Sequence, residues 1–353
     1  MGADRRPDLN SIPPQLGLAT AIPGAVHSFP FPLPPHCRSW KGLHMAAPIL
    51  TFCRDFAAPV PTSPTTSRAR VESAVVRAAS WLVSRQQADG GWAGQNRITA
   101  TAQALGALPA ESAEVARGWT WLWNAAILRQ DGSVAPSELD SLVVLDALVR
   151  SRLSTQAAGQ LVIRDAIESL RSLQNADGGW GLADNTGGEA ADSDAATTGA
   201  VLSVFATCGH IAGDSSVERA IDYLEREQPA DSGWLSSATS GHFDGTLRVL
   251  LGLRAAGIDN RFACVCRAAA WLKRLQALDG GWGSPGVAGG APTPEDTAAA
   301  TLGLLAASES DSAEVEAAVA WLLDHQQPDA SWSGATVAPL LALAEFRRMV
   351  FSS

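Results

Sequence analysis

Six acidic residues stand at or near the start of apolar stretches. They are Asp140 in SELDSL, Asp192 and Asp194 in ADSDAATT, Asp244 in HFDGTL, and Glu295 and Asp296 in PEDTAA. A carboxyl at the start of a helix can accept hydrogen bonds from the orphan N–H groups of the first turn. Beside an apolar pocket it can also work as a general acid or base, its protonation tuned by burial and by neighbouring charge. Ser137…Asp140 and Thr293…Asp296 fit the capping box, with Pro294 in its favoured first-turn place. Asp244 has Arg248 one turn on, a spacing that predicts an ion pair. In DSDAATTGAV (192–201) and beyond, the helical period puts Asp194, Thr197, Thr198, Val201 and Phe205 on one face, a pocket wall grading from polar to apolar.

A repeat positions these residues. Trp92, Trp180, Trp234, Trp282 and Trp332 each close a Gln, acidic, Gly-rich turn, with gaps of 88, 54, 48 and 50 residues. The first gap is double, and RGWTWLWNAAILRQDGSVAP (117–136) fills it with a degenerate copy that has Val134 in place of Trp. Six repeats of roughly 47 residues follow. Each opens with an amphipathic helix marked by Leu82, Leu122, Leu170, Leu224, Leu272 or Leu322. A nearly all-apolar helix comes next, expected over 98–108, 137–151, 194–208, 243–256, 295–307 and 335–348. Helices apolar on every face must be buried on most faces. An inner ring inside an outer ring satisfies this, and six repeats can close and remove open ends. The expected fold is all-α, an (α/α)6 toroid of six helix pairs over residues 71–350 in one domain. In that fold the inner helices run the same way and their N-termini gather at one rim, where Thr99 and Thr101 hold the first repeat's share. In the turns, Gly supplies the positive φ that ends a helix. Gln87, Gln174, Gln228, Gln276 or Gln327 can bond orphan carbonyls, and each Trp can lie on the next outer helix with its indole N–H on a backbone acceptor.

The Gln-x(2–3)-Asp-Gly-Gly-Trp signature resembles the QW (prenyltransferase/squalene oxidase) repeats of squalene–hopene and oxidosqualene cyclases. More broadly, the chain resembles the terpene cyclase/protein prenyltransferase toroid superfamily. The resemblance implies a central apolar pocket and acid-initiated cyclisation or isomerisation of an isoprenoid alkene. Class II terpene cyclases protonate their substrate with the central acid of a D-x-D-D motif. Asp192-Ser193-Asp194-Ala195 is similar, with Ala195 in the last place. Carried over, Asp194 is the acid and Asp192 its neighbour, with Asp140, Thr197, Thr198, Phe205, Asp244, Glu295 and Asp296 around the substrate. The alternative is a non-catalytic toroid that holds a hydrophobic ligand or serves as partner subunit to another enzyme. Inner-helix aromatics are few (Phe205, Phe243 and Phe346), and the sole tyrosine, Tyr223, is on an outer helix.

The superfamily's zinc branch uses Asp, Cys and His, but the inner helices show no Asp-x-Cys, and Cys208 and His210 fall at the end away from the acids. Neither metal nor cofactor is expected. Arg97 and Arg248 are the basic residues read near the acidic rim, too few for a diphosphate clamp. The net charge of −10 excludes a nucleic-acid partner. The five cysteines show no disulfide framework, and no stretch reaches the roughly 18 apolar residues of a membrane span. These features place the chain in the cytoplasm, with peripheral membrane contact open to it. Residues 1–70 hold twelve of the twenty prolines and read as a disordered arm, with Met45 an alternative start. Two Gly-rich loops, 181–192 and 283–296, lead to the acidic rim and are expected to be lids.

Overall fold

Each Gln–Trp turn ends one helix, leads into the next, and ties both to a neighbour. The computed structural model describes residues 66–127, 139–181, 191–210, 213–235, 243–283 and 290–351, all within one compact unit, Ala47–Ser353. The expectations for the proline-rich segment as far as residue 65 and for Met45 lie outside these residues, as do residues 182–190 and 284–289 of the two Gly-rich loops. The last residues of the segment expected to be a disordered arm, from Arg68, already belong to the first helix. Outer helices α1 (Arg68–Ser84), α3 (Ala113–Leu122), α5 (Ala157–Ser172), α7 (Ser215–Glu227), α9 (Ala263–Arg274) and α11 (Ala313–Asp324) alternate with inner ones. The inner helices are α2 (Arg97–Ala107), α4 (Leu139–Arg150), α6 (Ala195–Thr207), α8 (Asp244–Ala255), α10 (Pro294–Ala306) and α12 (Val337–Phe351). Each inner helix packs on the next, and α12 returns against α2. The ring is closed.

Burial follows the sequence pattern. α7 turns Val217, Ala220, Ile221 and Leu224 inward and leaves Glu218, Asp222 and Glu225 in solvent. α6 has no such division: eleven of its thirteen residues are buried, as expected of a helix with neighbours on every side. Its approach to α8 is closest at Gly199, where a Cβ would stand 2.6 Å from the Val249 Cα.

The staples repeat nearly atom for atom. Trp92, Trp180, Trp234, Trp282 and Trp332 are at most 2% exposed. Each donates its indole N–H at 2.7–2.8 Å to a carbonyl ten residues back, those of Leu82, Leu170, Leu224, Leu272 and Leu322. These leucines belong to the same repeat's outer helix, while the Trp92 ring lies on Gly118 of the next. The link across repeats is the glutamine. Gln174 Nε2 donates to Ser216 O in α7 at 2.9 Å, Gln228 to Cys264 O in α9 at 2.9 Å, and Gln276 to Glu314 O in α11 at 2.8 Å. In the first and last repeats Gln86 and Gln326 do this work, rather than the expected Gln87 and Gln327. Gln326 reaches Ala74 O in α1 at 3.1 Å, so the bond that joins neighbours also joins the last repeat to the first.

Candidate functional site

A threonine sets the rotation of each described inner helix except α4. Thr101, Thr198 and Thr297 accept the backbone N–H of Trp92, Trp180 and Trp282 at 2.9–3.0 Å. Thr246 donates to the Trp234 carbonyl at 3.0 Å, and Thr336, just before α12, accepts the Trp332 N–H at 3.4 Å. With the threonines turned toward the Gln–Trp turns, the residues two positions on line a central cavity of about 970 Å³. They are Gln103, Ala200, Arg248, Ala299 and Ala338. A tier below comes from Ser203, Leu251, Leu302 and Leu341, with Asp146 and Arg150 of α4 on the same wall. Asp244 and Glu295 line it from the first turns of α8 and α10.

The aromatic part of the wall is supplied by the repeat machinery. Trp81, Trp92 and Trp332 line the cavity, whereas Phe205 and Phe243 are fully buried elsewhere. Phe205 packs edge-on to Trp180 at 5.7 Å, and Phe243 on Trp271 at 5.6 Å. Arg85, at the end of α1, lines the same space with its guanidinium 4.9 Å over the Trp81 ring.

The charged groups of the cavity are not equivalent. Burial pushes the Asp244 carboxyl above its ordinary range; Arg248 pulls against this and Asp296 adds to it. Glu295 shifts the same way, through burial first and then the charges of Asp244 and Asp296. Arg150 holds Asp146 with Nε at 2.9 and 3.0 Å from the two carboxylate oxygens, and donates to Ser203 Oγ at 2.8 Å. The ion pair expected between Asp244 and Arg248 does not form among the described residues. The Arg248 Nε is instead buried without a hydrogen-bond partner.

The remaining expected site residues fall elsewhere. Asp194 is the N-cap of α6, accepting from Thr197 N at 2.9 Å and Thr197 Oγ1 at 3.2 Å, and it does not line the cavity. Asp192 is exposed before that helix. Thr198 is one of the anchoring threonines, and Thr197 is buried against Asp194. The face from Asp194 to Phe205 thus packs within the ring, and α6 meets the cavity through Ala200 and Ser203. Asp296 forms a capping box with Thr293, whose Oγ1 accepts the Asp296 N–H at 3.1 Å and donates to its carboxylate at 3.0 Å. Asp140 lies in the first turn of α4, its side chain outside the described residues. The sequence reading missed Arg85, Asp146, Arg150 and Ser203. Cys208 and His210 line a separate cavity of about 500 Å³ with Arg171, which is bound to Asp214 and His210. Among the described residues no group of three or more His, Cys, Asp and Glu is placed to hold a metal, and no helix is long and apolar enough to cross a membrane.

Comparison with known proteins agrees with the ring. The family model of the squalene–hopene cyclase C-terminal domain matches residues 134–339. The squalene–hopene cyclase of Zymomonas mobilis is 28% identical over 244 residues, 60% of this chain and 37% of that protein. A probable squalene–hopene cyclase of Sinorhizobium fredii is 30% identical over 243 residues, 61% and 36% of the two chains. The chain thus spans little more than a third of the length of these curated relatives. In fold it is similar to the type II terpene cyclase MstE from Scytonema in complex with merosterolic acid A, with a TM-score of 0.59 at 17% identity over 82% of this chain and all of that one. It is similar as well to a polysaccharide lyase, with a TM-score of 0.56 at 15% identity over 82% of this chain and 99% of that one. The ring alone does not choose a reaction.

Proposed function

The chain belongs to the squalene–hopene cyclase C-terminal domain family, and from that premise we propose that its central cavity performs acid-initiated cyclisation or isomerisation of an isoprenoid alkene. The observation that carries the proposal is a carboxyl pushed toward its protonated form, Asp244, on the wall of a cavity whose apolar lining is mostly Leu, Ala and Trp. The cavity, at about 970 Å³, stands at the upper end of the roughly 300–1,000 Å³ of small-molecule sites. In this reading Asp244 is the proton donor, burial and then Asp296 oppose its ionisation, and Asp194 holds the start of α6.

The chemistry balances without an oxidant or a reductant. The Asp244 proton adds to one alkene carbon, and a tertiary cation remains on the other. A second double bond attacks that cation, one C–C bond forms, and loss of a proton to water ends the sequence. Trp92 and Trp332 on the wall are the aromatic groups beside the cation, the Trp81 ring being already covered by the Arg85 guanidinium. The test is incubation in deuterated water with linear isoprenoid alcohols, acids and diphosphates, with product mass read by gas chromatography. Deuterated cyclic or shifted alkenes are expected, and Asp244→Asn should lower their yield by about 100- to 10,000-fold. If Asp194→Asn abolishes deuteration in a folded protein and Asp244→Asn does not, the acid is Asp194. Absence of product from every substrate would leave the cavity as a binding site alone.

A further inference from the structure

Five inner-helix positions are equivalent around the ring, each two residues past the anchoring threonine. Three carry alanine, one carries Gln103, and one carries Arg248. On the neighbouring helices α6 and α10 the same position is Ala200 and Ala299, so the longest side chain of the tier is flanked by two of the shortest. Arg248 makes no ion pair among the described residues, and its Nε is buried without a partner. The other cavity arginines differ. Arg150 is already bound to Asp146 and Ser203, and Arg85 stacks on Trp81. No protein group among the described residues holds the Arg248 guanidinium, so its terminal N–H groups are left for a ligand oxygen in the cavity it lines.

We propose that Arg248 is the anchor for a single carboxylate on the substrate, so that the cavity takes an isoprenoid acid in preference to a hydrocarbon or an alcohol. This rests on the reading of the cavity as an isoprenoid site. The alanines on either side leave room for a head group beside the guanidinium, and the Leu and Trp of the wall take the chain. The charge count selects a monoanion. Among the described residues Arg248 is the one cavity arginine held by neither a carboxylate nor an aromatic ring, and Glu295 in the first turn of α10 would repel the further charges of a diphosphate. The anchor and the proton donor are one turn apart on α8. The alkene that takes the proton therefore lies beside the head group, and the chain between them folds back into the cavity.

The experiment is equilibrium binding, followed by quenching of tryptophan fluorescence, of geranylgeranoic acid, geranylgeraniol and geranylgeranyl diphosphate. The wild-type protein should bind the acid about 10- to 100-fold more tightly than the alcohol, the factor expected for one charge-assisted contact. Arg248→Met should bring that ratio near one while still binding the alcohol. Arg248→Lys, which keeps the charge, should retain much of the preference and serves if the Met variant is unstable. Equal binding of acid and alcohol by the wild type, or an unchanged ratio in Arg248→Met, overturns the anchor and leaves the isoprenoid cavity standing. Diphosphate binding tighter than the acid overturns the monoanion. If none of the three binds, both the anchor and the isoprenoid reading fall.

Discussion

At the rim of the ring, five tryptophans reach five leucine carbonyls with the same atoms at the same ten-residue separation. One layer inward, the residues two past the anchoring threonines are Gln103, Ala200, Arg248, Ala299 and Ala338, and no interaction recurs among them. The two layers are separated by two residues of sequence, yet one is uniform and the other is not. Uniformity suits the rim because every staple has the same task, closing a helix end and holding the next repeat. On the proposed reading the cavity receives one ligand, and a ligand without six-fold symmetry is recognised by the positions where the repeat is broken. In this ring those breaks are Asp244, Glu295 and Arg248.

The largest effect should separate the layers outright. Trp282 is fully buried, and Trp282→Ala removes its ring and its bond to Leu272, at a cost of about 3–5 kcal/mol. Chemical denaturation should show that loss, while Asp244→Asn should unfold at least as late as the wild type at neutral pH. If the two variants are destabilised alike, the cavity wall is as structural as the rim and the comparison fails.

Thr198 sharpens the boundary, because it is a rim residue on a cavity helix. Thr198→Val keeps the volume and removes the acceptor for the Trp180 N–H, both groups being buried. A loss of about 1–3 kcal/mol is expected, with isoprenoid affinity unchanged. Reduced affinity at unchanged stability would return Thr198 to the substrate wall.

The architecture was legible in the sequence because the rim is where the repeat is strictest. The inner helices fall within three residues of their expected spans. The staple glutamine is off by one in the two repeats that spell Gln-Gln; its constant feature is a position six residues before the Trp, as in Gln86–Trp92 and Gln326–Trp332. The cavity wall was harder to read for a physical reason. α6 is buried on nearly all faces, so its hydropathy carries no sign of which face meets the cavity. Acidity drew attention to Asp194, whereas its place directly before the helix makes it a cap. The signal that could have set the rotation was the threonine recurring at Thr101, Thr198, Thr246 and Thr297.

Protonation gives a carboxylate of the scaffold and a carboxyl of the cavity opposite signs. Asp214, between α6 and α7, is held down to about 2 from 3.8, chiefly by the Arg171 guanidinium and then by the Ser216 N–H. Its contribution is present above pH 3.8 and is lost as pH falls toward 2. At about 1.4 kcal/mol per unit it is worth at most about 2 kcal/mol. Asp244 is raised, so its contribution is full below 3.8 and is lost as pH rises through its folded value. In denaturation series from pH 2.5 to 7, the penalty of Asp214→Asn should grow with pH. The stability of Asp244→Asn relative to wild type should rise over the same range. Parallel trends would mean that Asp244 is not desolvated.

The smallest effect tests how far the rim tolerates a break of its own. Gly90, Gly178 and Gly280 hold φ of +101°, +97° and +93°, and the last repeat puts Ala330 in that place at φ +74°. A left-handed residue with a Cβ costs roughly 1–2 kcal/mol, partly offset by the smaller backbone entropy that alanine loses on folding. Ala330→Gly should therefore raise stability by about 0.5–1 kcal/mol, read as a shift in denaturation midpoint. The gain should come without change in isoprenoid binding, although Gln327, Ser331 and Trp332 on either side of it line the cavity. A change in affinity would mean that the last turn is strained to shape the cavity. The sixth staple would then belong to both layers, and the boundary between them would run through the repeat that closes the ring.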